Sequence, residues 1–135
     1  MIVVDSSAVI AVLVGRPRVD ELEARLNDDP DLHAPHLIDI EVLHALRRLV
    51  MQGDLLEDRA QDVRSDFRDL LITRYPHEPL ADRIWELRQN LTAYDATFVA
   101  LAEALDRPLL TCDARLSRAG GHRARVELFG PAARR

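Results

Sequence analysis

Two rhythms of apolar residues alternate along this chain. Short apolar or β-branched segments bounded by turn residues lie at 2–4, 32–34, 72–75, 108–111 and 126–129. Such a run reads as a buried strand, whereas a helix buried on one face repeats its apolar residues every three to four positions. That second rhythm predicts a short helix over 8–13, stopped at Gly15, and another opened by Pro17 with Val19, Leu22 and Leu26 as its stripe. A longer helix is expected over 37–51, with Leu37, Glu41, Ala45 and Leu49 on one line and Ile38, Val42 and Leu46 beside it, ended by Gly53. The stripe Leu56, Ala60, Val63, Phe67, Leu70 and Leu71 predicts a helix over 56–71, which forms an antiparallel hairpin with the preceding one. Leu80, Ile84, Leu87 and Leu91 mark an amphipathic helix, and a last one spans 94–105. Turn signals stand at Asn27-Asp28-Asp29-Pro30, at Pro76 and Pro79, and at Gly120-Gly121, and the chain closes on an arginine-ended tail. Strands alternating with helices predict an α/β fold, with a central, mostly parallel sheet covered on both faces.

The totals narrow this picture. A length of 135 residues, 47% hydrophobic and 30% charged, fits one globular domain spanning 1–135, without repeat or linker. A single cysteine, Cys112, excludes a disulfide framework and suits a reducing cytoplasm. No stretch reaches the length of a membrane span, and the first apolar run is broken by Asp5 with no basic segment before it, so no signal peptide is expected. A net charge of −5 argues against nucleic-acid binding through bulk positive charge, while leaving room for bound cations and a local arginine patch. All 18 residues in the Lys+Arg total are arginine.

Four acids stand apart from the solvated majority. Asp5 ends the first strand and Asp113 follows the 108–111 strand in the same way, so two parallel strands each deliver a carboxylate to one sheet edge. Ligands of open α/β sheets gather just outside those carboxyl ends. Glu41 puts a charge on or beside a buried stripe, and Asp95 begins a helix whose Phe98, Val99 and Ala102 face inward. Each acid also has a plain structural use. Asp5 and Asp113 can cap helices, Asp95 can complete a Thr92-x-x-Asp95 capping pattern, and Glu41 can pair with Arg48 or Arg88. Four acids converging on one edge, however, would drive up one another's pKa values without a cation. An all-oxygen set of this kind suits Mg²⁺ or Mn²⁺.

The fragments IVVDSSA (2–8), IEVLHALRR (40–48), NLTAYDATFVALAE (90–103) and LLTCDARL (109–116) occur in this order and spacing. Together they resemble the PIN-domain ribonucleases, and in particular the VapC toxins of VapBC (type II) toxin–antitoxin pairs, over nearly the whole chain. The resemblance implies a three-layer α/β/α sandwich around a sheet of four or five strands. Asp5, Glu41, Asp95 and Asp113 fall on the family's acidic quartet, which makes them the expected catalytic and metal-binding residues, with Asp5 and Asp95 as principal ligands. The implied activity is Mg²⁺- or Mn²⁺-dependent cleavage of single-stranded or loop RNA, with tRNA or rRNA as candidates, leaving a 5′-phosphate and a 3′-hydroxyl. The implied partners are a VapB antitoxin, whose basic side chain enters the acidic pocket, and a second copy in a homodimer. The apolar faces of the 19–26 and 37–51 helices are candidate walls for the antitoxin groove.

Ser6 and Thr111 are candidates to orient a ligand or the scissile phosphate, and Arg115 and Arg118 are either phosphate contacts or plain solvated surface. The histidines lack zinc spacing and receive no role, with His33 and His36 expected in a loop around Pro35. Cys112 is expected as a buried strand residue, and Trp85 and Phe67 as core. A phosphoacceptor receiver domain requires a lysine that this chain lacks, and a haloacid-dehalogenase-like phosphatase needs a second aspartate where Ser7 stands. The surviving alternative is a catalytically silent PIN-fold module that binds a protein or RNA.

Overall fold

The computed structural model describes residues 1–130, so the arginine-ended tail at 131–135 lies outside the described residues. In chain order the elements are β1 (Ile2–Val4), α1 (Ser6–Val14), α2 (Asp20–Asp28), β2 (Leu32–Pro35), α3 (Leu37–Met51), α4 (Glu57–Asp69) and β3 (Ile72–Tyr75). A 3₁₀ turn (Glu78–Leu80) then runs into α5 (Ala81–Glu86), followed by α6 (Ala93–Leu105), β4 (Leu109–Thr111), α7 (Ala114–Arg118) and β5 (Val126–Leu128). The five strands form one sheet in the order β3-β2-β1-β4-β5, every neighbouring pair parallel.

That order follows from burial. The three inner strands are buried at every residue, as their apolar composition demands, whereas β3 and β5, which carry Arg74 and Glu127, take the half-exposed edges. From β1 the chain steps outward to β2 and β3, then returns across β1 to β4 and β5. Connections therefore leave in opposite directions on the two sides of the β1–β4 seam, and the crevice of such a sheet opens at the carboxyl ends of the strands flanking that switch. Asp5 and Asp113 lie on those two chain exits.

Helices α1, α3 and α4 pack together, while α6 crosses β1, β2 and β4 with α5 packed on it, giving the three-layer α/β/α arrangement. Helix α6 is buried at seven consecutive positions, 96–102, four of them alanine or threonine, so its small side chains let it lie close on the sheet. Gly15 at φ 67° closes α1, its N–H donating to the Ala11 carbonyl.

Several expected boundaries shift. The helix expected to extend to Leu91 ends at Glu86, and Leu87 and Leu91 reach the core from turns beyond it. Trp85, expected in the core, is 67% exposed, with the Arg88 guanidinium 4.5 Å over its ring. Its neighbours Ile84 and Leu87 make the inward contacts of this short helix, which turns Trp85 outward. Phe67 is buried as expected, but Leu56 and Leu71 lie beyond the ends of α4 and are exposed, because the helical period no longer governs them. His33, expected in a loop, is buried in β2 between the Tyr75 hydroxyl at 2.7 Å and Asp31 at 2.9 Å.

Candidate active site

Register fixes the first contact of the site. Val4 pairs with Leu110, which sets Asp5 level with Thr111 across the β1–β4 seam. The Thr111 hydroxyl donates to Asp5 Oδ2, the Ser7 hydroxyl donates to Oδ1 at 2.7 Å, and the Ala8 N–H donates to Oδ1 at 2.9 Å. Asp5 thereby caps α1, yet a carboxylate offers about four lone-pair positions, and three donors leave one free on Oδ2. Capping and ligand binding are compatible uses of this carboxylate. Thr111 Oγ1 accepts the Asp113 N–H at 2.9 Å and Ser7 Oγ accepts the Cys112 N–H at 2.8 Å, so the two hydroxyls tie both strand exits together. Thr111 is fully buried behind Asp5 rather than facing a ligand.

A cleft of about 570 Å³ opens at this edge, and Asp5, Glu41, Asp95 and Asp113 all line it. Glu41 arrives from α3, where Ser6 Oγ donates to Oε1 at 3.1 Å. Neither arginine suggested by the sequence is its partner: Arg48 stands elsewhere on the cleft wall, and Arg88 stacks on Trp85. The start of α3 is held from outside, by the Leu37 N–H donating to His77 Nε2 at 2.9 Å. Asp95 sits in the first turn of α6, whose Thr92 cap accepts the Asp95 N–H at 3.2 Å. Asp113 caps α7, Oδ1 accepting the Arg115 N–H at 2.9 Å and Oδ2 the guanidinium at 3.0 Å.

Of the remaining sequence candidates, Ser6 and Arg115 line the cleft, whereas Arg118 is exposed outside it. His44, given no role above, lines it beside Glu41, and Tyr94 and Ile40 stand there 63% and 64% exposed. Helix α3 forms one wall, while α2 contributes nothing to it. Sequence reasoning missed Ser7, whose only signal was a second hydroxyl directly after the strand-ending aspartate.

Burial raises the pKa of Asp5 above the usual carboxylate range, opposed by its three donors and aided by the negative charge of Asp113. Burial likewise raises Glu41, with Asp95 and Asp5 adding repulsion. Asp95 is raised by burial and then by Asp113, against a smaller pull from Arg115. The four acids are therefore one electrostatic unit. Burial pushes the half-exposed Cys112 thiol up to about 11, which leaves it protonated at neutral pH and unsuited to nucleophilic attack.

Among the described residues, no three His, Cys, Asp or Glu side chains already converge as a ready-made ion cage. The donors at the cleft nevertheless fit a hard cation of the Mg²⁺ type, which prefers oxygen, keeps several waters and takes one or two carboxylates plus substrate phosphate.

A family model for the PIN domain matches residues 2–122, a span that holds all four acids. The chain belongs to the PIN-domain family. Ribonuclease VapC1 of Mycobacterium tuberculosis is 43% identical over 127 residues, 93% of this chain and 96% of that one. Ribonuclease VapC9 of the same organism is 46% identical over 120 residues, covering 89% and 91%. These likenesses place the chain with the VapC branch of the PIN family. VapBC2 from Rickettsia felis, solved bound to a DNA fragment from its promoter, shares the fold at a TM-score of 0.70 and 13% identity, with 96% of this chain and 100% of that one covered.

Proposed function

We propose that this PIN domain is the toxin of a type II toxin–antitoxin pair, a Mg²⁺- or Mn²⁺-dependent endoribonuclease silenced by a cognate VapB-type antitoxin. The observation that carries the reading is the coupled acidic quartet at the switch-point cleft, three of whose members are held above the usual carboxylate pKa. Such repulsion is relieved by a bound cation. The similarity to VapC ribonucleases at 43–46% identity supports the same activity class.

Asp5 and Asp95 are the principal ligands in this reading, and Asp113 and Glu41 complete the set directly or through water. A divalent ion held by these carboxylates would supply Lewis acidity, both to acidify a water near neutral pH and to offset charge developing on the phosphate. The chain's own residues do the positioning. Thr111 and Ser7 orient Asp5, and Ser6 orients Glu41. Arg48 and Arg115 add positive charge on the cleft wall for the backbone phosphates. Tyr94 and Ile40 offer exposed apolar surface on which an unpaired base can lie, which suits single-stranded or loop RNA. The antitoxin enters the same cleft with a basic group against the quartet, and Leu43 and Met51, exposed on α3, are available to the antitoxin or to a second copy.

The test is RNA cleavage by antitoxin-free protein with Mg²⁺ or Mn²⁺, and with EDTA, beside Asp95→Asn. Cutting that needs metal and disappears in the variant is expected. Equal inertness of both proteins on total and structured RNA favours the silent binding module. Equal cutting by both removes the quartet from the mechanism.

A further inference from the structure

Asp113 differs from the other three cleft acids in what neutralises it. Asp5 is held by two hydroxyls and a backbone N–H, and Glu41 by the hydroxyl of Ser6. Asp113 instead carries an ion pair with an arginine two residues on, Arg115 Nη2 to Oδ2 at 3.0 Å, and the Arg115 backbone N–H holds the other oxygen. It is the one cleft acid with a salt bridge among the described residues. The Arg115 charge also reaches Asp95. The arginine side chain is 75% exposed while its partner is only 26% exposed, so the cation can swing out and the carboxylate cannot follow.

The geometry points to Arg115 as a built-in counter-ion: it balances Asp113 and Asp95 while the cleft is free of metal, and yields them to a divalent cation. This inference rests on the metal-dependent reading given above. Giving up an ion pair whose arginine is this exposed costs little, so the competition weakens metal binding by roughly two- to fivefold. Released from Asp113, the guanidinium keeps its place on the cleft wall, where its planar fork suits a phosphate. Metal and arginine therefore compete for one carboxylate, and metal and substrate then share the task of neutralising the cleft.

The experiment is a Mn²⁺ titration of the metal-free full chain, followed by calorimetry or by the electron paramagnetic resonance of free Mn²⁺. Arg115→Gln is expected to bind Mn²⁺ about two- to fivefold more tightly than the native chain at low salt, with the gain shrinking as salt rises. Arg115→Lys, which keeps the charge, is expected to return the affinity close to native, and Arg118→Gln, a neighbouring arginine outside the cleft, to leave it native. At saturating Mn²⁺ the Gln variant shows a raised KM for RNA, so metal affinity and substrate affinity move in opposite directions. A general loss of structure would weaken both. Equal or weaker Mn²⁺ binding by Arg115→Gln, with clear binding by the native chain, overturns the counter-ion role and leaves the metal site standing. Absence of Mn²⁺ binding by either protein at millimolar concentration overturns the metal-dependent reading and this inference with it.

Discussion

Thr111 Oγ1 donates to Asp5 Oδ2 from a fully buried position, and the same oxygen accepts the Asp113 N–H. One hydroxyl thus fixes the acids of two adjacent strands. Thr111→Val keeps the shape and removes both bonds, leaving a buried carboxylate short of a donor and a backbone N–H without an acceptor. A loss of about 1–3 kcal/mol is expected in urea denaturation. Cleavage is expected to fall about 10–100-fold, the usual effect of removing a group that orients a metal ligand. Thr111→Ser retains the hydroxyl and is expected to recover most of both.

The quartet was legible because it breaks local rules. Charge at the end of an apolar strand, or on a helix's inward line, is conspicuous in a sequence, and Asp5, Glu41, Asp95 and Asp113 are so placed. The supporting hydroxyls were less visible. Ser6 and Thr111 read alike as ligand contacts, yet Ser6 lines the cleft and Thr111 is buried, because a sequence shows that a hydroxyl is near an acid but not which way it faces. Only the β1–β4 register turns Thr111 toward Asp5. Trp85, read as core, shows a similar limit: Ile84 and Leu87 take the inward positions of this short helix, and Trp85 is left exposed.

Ser6 Oγ holds Glu41 Oε1 at 3.1 Å and opposes the upward pull that burial exerts on that carboxyl. Ser6→Ala removes the opposing bond, so the Glu41 pKa rises further and a higher pH is needed to ionise it. The acidic limb of the pH–rate profile is expected to move to higher pH, with cleavage at neutral pH reduced about tenfold. An unmoved limb separates Glu41 from the rate-controlling ionisation.

Glu103 ties the far end of α6 in place. Its side chain is 3% exposed and accepts Arg83 Nε at 2.7 Å, Arg83 Nη2 at 3.0 Å and the Arg123 N–H at 2.7 Å. The Arg83 guanidinium holds its pKa below the usual value, so the pair's contribution is present above the unfolded glutamate's pKa and is lost as pH falls through the folded one. Arg83→Ala leaves that carboxylate buried without its cation. Because Arg83 itself is 27% exposed, a cost of about 2 kcal/mol at pH 7 is expected, below the roughly 3–5 kcal/mol of a fully buried pair. The deficit shrinks in acid, which denaturation at pH 7 and pH 3.5 would show.

Asp5→Asn separates the stability of the site from its chemistry. The buried carboxyl of Asp5 has a raised pKa, so the folded chain keeps a proton over a pH range in which the unfolded chain has lost it. Stability of the metal-free protein therefore falls as pH rises from the unfolded value through the folded one. Asparagine removes that fall and fits the same bonds with one reversal. Its Oδ1 accepts from Ala8 and Ser7 as before, and its Nδ2 donates to Thr111 Oγ1. The Thr111 proton then turns to Ser7 Oγ, already 3.2 Å away. Every hydroxyl and backbone N–H of the group stays paired, and the second Nδ2 hydrogen takes the position that was free on Oδ2. The metal-free variant is accordingly expected to match or exceed the native chain in stability at pH 8, while losing the carboxylate a hard cation needs. Under the metal-dependent reading, Mn²⁺ at a hundred times its Kd is expected to stabilise the native chain by about 2.7 kcal/mol, a rise in Tm of roughly 10 °C for a domain of this size. That rise grows from pH 5 to pH 8 as protons cease to compete. In Asp5→Asn both the rise and RNA cleavage are expected to vanish. A variant that unfolds below the native Tm at pH 8 without metal would show that the hydrogen-bonded group cannot reverse, and an undiminished Mn²⁺ response would move the metal away from Asp5.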